Sequence, residues 1–165
     1  MTNVTEKTKR KVIRLQHYDY SQIGLYFITV CTHNKECLFG NIENHKMLMN
    51  DVGKMIQYWY LELGKKFPNV ECLEYIVMPN HIHFILYIKE QQKYSIPTIV
   101  QWFKTMTTNN YIKNVKNNHW KPFEGKLWQR SYYEHIIRNE KSYLEIAEYI
   151  ECNPYNWNND SLFQN

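Results

Sequence analysis

The sequence predicts a single α+β domain in which a four-stranded antiparallel sheet carries two helices on one face. The chain has 165 residues and is 44% hydrophobic, which suits one domain with a substantial core. Four stretches are rich in β-branched and aromatic residues, and two others repeat apolar residues at helical spacing. Because no linker, repeat or change of composition marks a second domain, we assign residues 1–165 to one domain.

The first strand and the first helix come from the amino-terminal half. The strand begins at Gly24 and continues through the β-branched and aromatic residues 25–32. After an Asn-Lys-Glu turn, apolar residues recur near helical spacing and predict a helix that Gly64 and Pro68 end. This apolar set consists of Met47, Met55, Ile56, Trp59 and Leu63.

Two strands, a helix and a fourth strand follow. Residues 73–77 and 81–88 have strand composition, and the connection between them contains a proline that cannot donate to a ladder, so we expect a tight antiparallel pair. Ser95 is a candidate N-cap for the second helix, whose first turn holds a proline. Its apolar stripe is formed by Ile99, Phe103 and Met106. Residues 128–137 then predict the fourth strand.

The resulting order, strand, helix, strand, strand, helix, strand, is the split βαβ arrangement of ferredoxin-like domains, which leaves one sheet face uncovered. A further helix follows, with Asn139 as N-cap and Pro154 at its end. Its apolar positions are Tyr143, Ile146, Ala147 and Ile150. Four residues advance a helix by slightly more than one turn, so Tyr149 and Asn153 lie on the same side.

The His-Ile-His motif of the third strand is the first candidate site. Side chains alternate along a strand, so His81 and His83 share one face while Ile82 points to the other. Two neutral imidazoles at this spacing can reach one divalent ion or one phosphate. Because the chain has seven histidines, spacing alone also allows a chance pair with a structural role.

The last helix could complete that site if it lies over the uncovered sheet face. Asn153 would then bring a carbonyl oxygen to the ion, and Tyr149 would bring a phenol to a bound phosphate. Three donors of mixed nitrogen and oxygen type leave open positions and suit Mg²⁺ or Mn²⁺. Spacing by itself does not choose Tyr149 over Tyr132, Tyr133 or Tyr143 as a nucleophile.

Composition is compatible with nucleic-acid binding, and the cysteine pattern and the lack of an export signal predict a cytoplasmic protein. A net charge of +4 together with 14 tyrosines and five tryptophans suits single-stranded nucleic acid, although aromatic residues also fill cores. The four cysteines show no Cys-x-x-Cys spacing, and no apolar run is long enough for export or membrane insertion. Residues 1–17 are expected to form a flexible basic arm.

Further cations are candidate DNA contacts. Arg130, His135 and Arg138 lie on or just beyond the predicted fourth strand, where a guanidinium could bind a phosphate or, alternatively, a carboxylate of the protein. Lys104 lies on the second helix, where it could follow a DNA backbone or simply face solvent.

Four stretches carry a resemblance to a known family. They are residues 18–20 with 26–34, residues 77–83, residues 127–138 and residues 148–154, and they follow one another in the family's order. Together they resemble the HUH single-tyrosine transposases, in particular the REP-associated tyrosine transposases of bacteria. The match spans nearly the whole chain.

The resemblance implies roles for individual residues. His81 and His83 correspond to the pair that binds the divalent metal, Mg²⁺ or Mn²⁺. Tyr149 corresponds to the nucleophile, and Asn153 occupies the position where related enzymes use glutamine as third ligand. The implied reaction is cleavage and transfer of hairpin-bearing single-stranded DNA through a 5′-phosphotyrosine link. The wider family includes dimers with swapped tyrosine helices, so the resemblance allows a homodimer and leaves open whether the last helix completes its own site or that of a neighbouring subunit.

Two other functions remain compatible with the sequence. A ferredoxin-like sheet can bind nucleic acid without catalysis, although we find no RNP-type strand. Alternatively, His81, His83 and a cysteine or further histidine could hold zinc in a hydrolase, which would consume water and form no covalent DNA adduct.

Overall fold

The computed structural model describes Leu15, residues 18–91 and residues 93–164. The basic arm predicted for residues 1–17 lies outside these residues except for Leu15. The strands are β1 (Gly24–Cys31), β2 (Gly40–Glu43), β3 (Lys46–Met49), β4 (Val70–Met78), β5 (His81–Ile88) and β6 (Tyr133–Ile137). The helices are α1 (Asp51–Lys66), α2 (Ile96–Asn118) and α3 (Glu140–Cys152), with short 3₁₀ helices at His33–Lys35 and Trp157–Asn159.

The main sheet has four antiparallel strands in the order β4-β5-β1-β6, and α1 and α2 cover one face of it. Residues of alternating positions in β1 and β5 fill the core on that face, among them Ile28 and Phe84. The Phe84 ring lies 5.0 Å from that of Tyr60 in α1 and 6.0 Å from that of Phe103 in α2. The predicted ferredoxin-like architecture is thereby confirmed.

The opposite face of the sheet is partly covered by α3. Phe27, Ile85, Ile137 and Ile150 form a second, smaller core there. The helix begins where Asn139 Oδ1 accepts a hydrogen bond from the Ser142 amide at 2.8 Å, as the sequence predicted. The carboxy-terminal helix therefore lies over the sheet face that carries the odd-numbered residues of β5.

The first predicted helix was wrong at its amino-terminal end. Met47 lies in β3, where it pairs with Ile42 of β2, and α1 starts only at Asp51. The β2–β3 hairpin turns through Asn44 and His45, with φ of 49° and 60°. Both residues adopt the left-handed conformation that a two-residue hairpin turn requires, but without the usual glycine. Asn50 then caps α1 by accepting a hydrogen bond from the Gly53 amide at 3.0 Å.

The fourth predicted strand was too long. Regular pairing with β1 is confined to β6, and Trp128 forms an isolated bridge with Thr32. Between them the backbone carbonyls of Gln129, Arg130 and Ser131 accept hydrogen bonds from the Lys104 ammonium at 2.8, 3.3 and 3.4 Å. Carbonyls that converge on one ammonium cannot also point alternately to neighbouring strands, so the segment is irregular. Within the described part of the chain, none of the helices has the length and apolar composition needed to cross a bilayer.

Candidate active site

The two histidines of β5 lie side by side on the face that α3 partly covers. His81 pairs in register with Cys31 and His83 with Thr29, which sets both imidazoles on the side opposite Ile82. Their Nε2 atoms are 3.0 Å apart, and the residues are 0% and 2% exposed. The Nδ1 atom of His81 lies 2.7 Å from Asn80 Oδ1, and that of His83 lies 2.7 Å from Thr29 Oγ1.

Burial determines the charge of this pair. Desolvation lowers the pKa of His81 to about 3, an effect that the nearby Asn153 side chain partly offsets. Burial also lowers the pKa of His83 well below its usual value, and the neighbouring His81 adds to this shift. Both imidazoles are therefore neutral at neutral pH, which is the protonation state that binds metal ions.

Tyr149 of α3 brings a phenol to the histidine pair within the same chain. Its hydroxyl lies 3.4 Å from His83 Nε2, and its ring meets the edge of Phe27 at a centroid distance of 6.1 Å. The residue is 46% exposed, so part of its side chain is accessible from solvent. Partial burial raises the pKa of Tyr149, while Asn153 acts in the opposite direction, and the phenol is neutral at neutral pH.

Asn153 and Asp160 supply oxygen atoms around the pair. Asn153 is 2% exposed, and its buried Oδ1 has no hydrogen-bond partner among the described residues, although the amide is close enough to shift the pKa of both His81 and Tyr149. An orphaned buried acceptor of this kind marks a place for a cation or a donor ligand. The sequence analysis did not identify Asp160. One of its carboxylate oxygens and one ring nitrogen of each histidine all lie within 4.8 Å of one another.

The position of Asp160 depends on how the chain returns after α3. Trp157 is buried; its ring centroid lies 6.0 Å from that of His81 in a tilted arrangement and 5.3 Å from that of Phe163 in an edge-to-face arrangement. Asp160 Oδ1 accepts a hydrogen bond from the Leu162 amide at 2.7 Å, and the Leu162 carbonyl accepts one from Asn80. These contacts hold the segment 157–163 against the histidine strand.

The donor set fits a divalent cation. Two neutral imidazole nitrogens and a carboxylate oxygen are close enough to share one ion, and the Asn153 oxygen lies nearby without a partner. Mixed nitrogen and oxygen ligands with room for further oxygens suit Mg²⁺ or Mn²⁺. Among the residues that the structure describes, the cluster with the histidine pair is completed by an aspartate, which does not support the zinc alternative with a third cysteine or histidine.

Comparison with known proteins identifies the family. The family model described as "Transposase IS200 like" matches residues 20–153. This chain belongs to the IS200-like transposases. A Haemophilus influenzae protein of unassigned function is 42% identical over 93% of both chains. The REP-associated tyrosine transposase of Escherichia coli is 24% identical over 82% of this chain and 68% of its own length.

A solved structure of a REP-associated tyrosine transposase bound to a REP hairpin shares the fold. It superposes with a TM-score of 0.64 at 21% identity, and the match covers 86% of this chain and 72% of that one. The family predicted from the four sequence stretches is confirmed by the match to the family model. At this identity the structural likeness supports the architecture.

Four tyrosines were candidates within this transposase fold. The Tyr149 hydroxyl approaches His83, whereas the Tyr143 hydroxyl donates a hydrogen bond to Glu74 at 2.6 Å. Tyr132 packs against the core beneath α1 and α2. Tyr133 pairs with Thr29, so it lies on the same face as His83, and it is 52% exposed. The geometry thus favours Tyr149 as the phenol nearest the histidine pair.

The candidate DNA contacts of this transposase occupy different places. Arg130 and His135 are exposed. His135 pairs with Phe27 across the strands, so it lies on the same sheet face as the histidine pair. Arg138 is also exposed, but it follows Ile137, which pairs with Leu25, so it lies about 13 Å or more along the sheet from the level of Thr29. Lys104 is only 8% exposed and bonds the carbonyls of residues 129–131. Direct DNA contact by these residues stays a prediction, and the burial of Lys104 favours an indirect role.

Proposed function

We propose that this transposase cleaves and rejoins single-stranded DNA, with Tyr149 as the nucleophile and a divalent cation, Mg²⁺ or Mn²⁺, held by His81, His83 and Asp160. Asn153 is the further oxygen donor. One observation carries the proposal: the Tyr149 hydroxyl lies 3.4 Å from the Nε2 atom of a buried, neutral histidine pair in the same chain. The chemistry follows from that arrangement.

The reaction exchanges one phosphodiester for another. Tyr149 Oη forms a bond to phosphorus, the bond between phosphorus and the 3′ oxygen breaks, and the 3′ oxygen takes up a proton as the phenol loses one. When bound, the cation withdraws charge from the phosphate and favours the phenolate. In the reverse direction a 3′-hydroxyl attacks the 5′-phosphotyrosine and releases Tyr149, so the strand is rejoined without a nucleotide cofactor.

The substrate class is single-stranded DNA that carries a hairpin. The support is the relative solved with a REP hairpin, together with the net charge of +4 and the exposed ring of Tyr133 beside the site. Arg130 and His135 are the candidate contacts nearest the site. Since Tyr149 and the histidines meet within one chain, a homodimer is not required for chemistry. We propose that the protein acts on DNA in the cytoplasm.

A covalent-adduct assay tests this proposal. Hairpin DNA with a single-stranded flank, labelled at the end that stays with the 5′-phosphate, is incubated with protein and Mn²⁺ or Mg²⁺ and separated by denaturing electrophoresis. We expect label on the wild-type protein and none on Tyr149→Phe or His83→Ala. Tyr143→Phe is the matched control, because it removes a phenol from the same helix. Equal labelling of Tyr149→Phe would reject Tyr149 as the nucleophile. If the wild-type protein and all variants bind the DNA under native conditions but none carries label after denaturation, a binding module without catalysis is favoured.

A further inference from the structure

The two histidines differ in what holds their Nδ1 atoms. His81 faces an amide oxygen, Asn80 Oδ1, and His83 faces a hydroxyl, Thr29 Oγ1, each at 2.7 Å. An amide oxygen can only accept a hydrogen bond, whereas a hydroxyl can either donate or accept one. Asn80 and Thr29 are 1% and 6% exposed, so water does not readily replace either partner. The difference determines which nitrogen of each ring carries the proton.

The Asn80 amide has a fixed orientation. Its Nδ2 donates hydrogen bonds to the carbonyls of Lys35 at 3.0 Å and Leu162 at 2.8 Å, so both of its hydrogens are used. The oxygen is therefore the atom that faces His81. Because that oxygen only accepts, His81 must carry its proton on Nδ1, and its Nε2 presents a lone pair.

Without a cation, His83 must have the other tautomer. The two Nε2 atoms are 3.0 Å apart, a hydrogen-bond distance at which two lone pairs would repel each other. Since His81 Nε2 is unprotonated, His83 Nε2 donates the proton between them. His83 Nδ1 is then an acceptor, and the Thr29 hydroxyl donates to it.

We infer that Asn80 locks His81 in one tautomer, whereas Thr29 lets His83 change tautomer when a divalent cation binds. Binding of a cation would require both Nε2 lone pairs, so His83 would lose its Nε2 proton to solvent and take up one proton from solvent on Nδ1. The ring stays neutral, and no proton is released overall. The Thr29 hydroxyl changes from donor to acceptor in the same step. Thr29 and Asn80 are thus positioning residues, and the inference rests on the metal site of the proposed function.

The first test observes the tautomers directly in the wild-type protein. Two-bond ¹H–¹⁵N correlation spectra distinguish protonated from unprotonated ring nitrogens. In the metal-free protein we expect His81 protonated on Nδ1 and His83 on Nε2. On titration with Zn²⁺, a diamagnetic probe, His83 should become protonated on Nδ1 while His81 does not change. If His83 is protonated on Nδ1 before Zn²⁺ is added, or if His81 changes tautomer, the inference is overturned.

The second test measures affinity for Mn²⁺ by electron paramagnetic resonance. Thr29→Val keeps the shape of the side chain without its hydroxyl, and Thr29→Ser keeps the hydroxyl. Loss of an outer-shell partner costs about 10–100-fold in metal affinity. We therefore expect weaker binding by that factor in Thr29→Val and near wild-type binding in Thr29→Ser. Equal affinity of Thr29→Val and wild type overturns the role of Thr29.

The outcomes separate this inference from the proposed function. If wild type binds no Mn²⁺, the metal site and the inference fall together. If Mn²⁺ binds and Tyr149 forms the DNA adduct while His83 keeps its Nε2 proton in the Zn²⁺ spectra, the proposed function stands and the inference alone is rejected. Melting curves of both Thr29 variants control for loss of folding, and the wild-type spectra stand without them.

Discussion

The two faces of the main sheet use the same strands for opposite purposes. On one face Ile82, Phe84 and Leu86 of β5 are buried in an apolar core beneath α1 and α2. On the other face His81 and His83 of the same strand are equally buried, but they contact polar partners. Burial of polar groups costs free energy unless each has a hydrogen bond. The first face is thus an apolar core, whereas the second combines a small apolar core with a buried polar cluster, for which we propose a chemical role.

The largest expected change in stability comes from breaking the apolar face. Phe84→Ala removes a ring that is 1% exposed and packs between α1 and α2. Truncation of a buried phenylalanine costs about 3–5 kcal/mol in the free energy of unfolding. Urea denaturation measures this loss, and a value below about 1 kcal/mol would contradict the assigned role of that core.

The second prediction adds a cation to the polar face. A ligand that binds only the folded state at 100 times its dissociation constant stabilises it by about 2.7 kcal/mol. We expect Mn²⁺ to stabilise wild type and Phe84→Ala by a similar increment, because the Phe84 side chain points to the sheet face opposite the histidines. His83→Ala should gain nothing. Thermal melts with Mn²⁺ and with EDTA measure the increment, and an equal gain in His83→Ala would place the ion elsewhere.

The third prediction concerns the loss of folding stability at low pH. Unfolded histidine has a pKa near 6.5, whereas burial lowers the pKa of His81 to about 3 in the folded protein. The unfolded state therefore binds more protons below pH 6.5, so the contribution to stability is full above that pH and falls as the pH drops toward 3. Each titrating imidazole lowers the free energy of unfolding by about 1.4 kcal/mol per pH unit at most.

Urea denaturation of the metal-free protein between pH 7.5 and 5 measures that slope. A double variant, His81→Gln with His83→Gln, removes the titrating groups and should flatten the dependence. Phe84→Ala, on the other face, should keep the wild-type slope at a lower overall stability. If the double variant keeps the full slope, other groups cause the acid sensitivity.

Much of this contrast follows from local sequence rules. Alternation along β5 predicted the two histidines on one face, and helical spacing predicted that Tyr149 and Asn153, the C-cap of α3, lie on the same side, with Asn139 as N-cap. Family resemblance then singled out Tyr149. Strand alternation and helical spacing both apply to short segments with a regular period, which is why these positions could be predicted.

Features that depend on distant segments were not predictable in this way. Asp160 reaches the histidines because Trp157 packs near His81 and Asn80 bonds the Leu162 carbonyl, contacts that no periodic pattern records. Lys104 has the spacing of an exposed helix residue, but the carbonyls of a segment 25 positions later bury its ammonium. The β2–β3 hairpin was not predicted, because its turn lacks the glycine that usually marks such a turn.

The smallest expected effect compares one helix cap on each face. Asn50 caps α1 on the apolar face, and Asn139 caps α3 on the polar face, each by accepting a backbone hydrogen bond. Replacement of such a cap by alanine costs about 1 kcal/mol. We expect Asn50→Ala and Asn139→Ala to lower the free energy of unfolding by similar amounts.

Only the second substitution should affect DNA cleavage. Fraying of α3 from its first turn loosens the helix that carries Tyr149, whereas fraying of α1 leaves the distance between Tyr149 and His83 unchanged. Adduct formation by the two variants is compared at a temperature where both are folded. If Asn50→Ala slows cleavage as much as Asn139→Ala does, the core beneath α1 and α2 also determines the geometry of the site. The proposed difference between the two sheet faces would then be wrong.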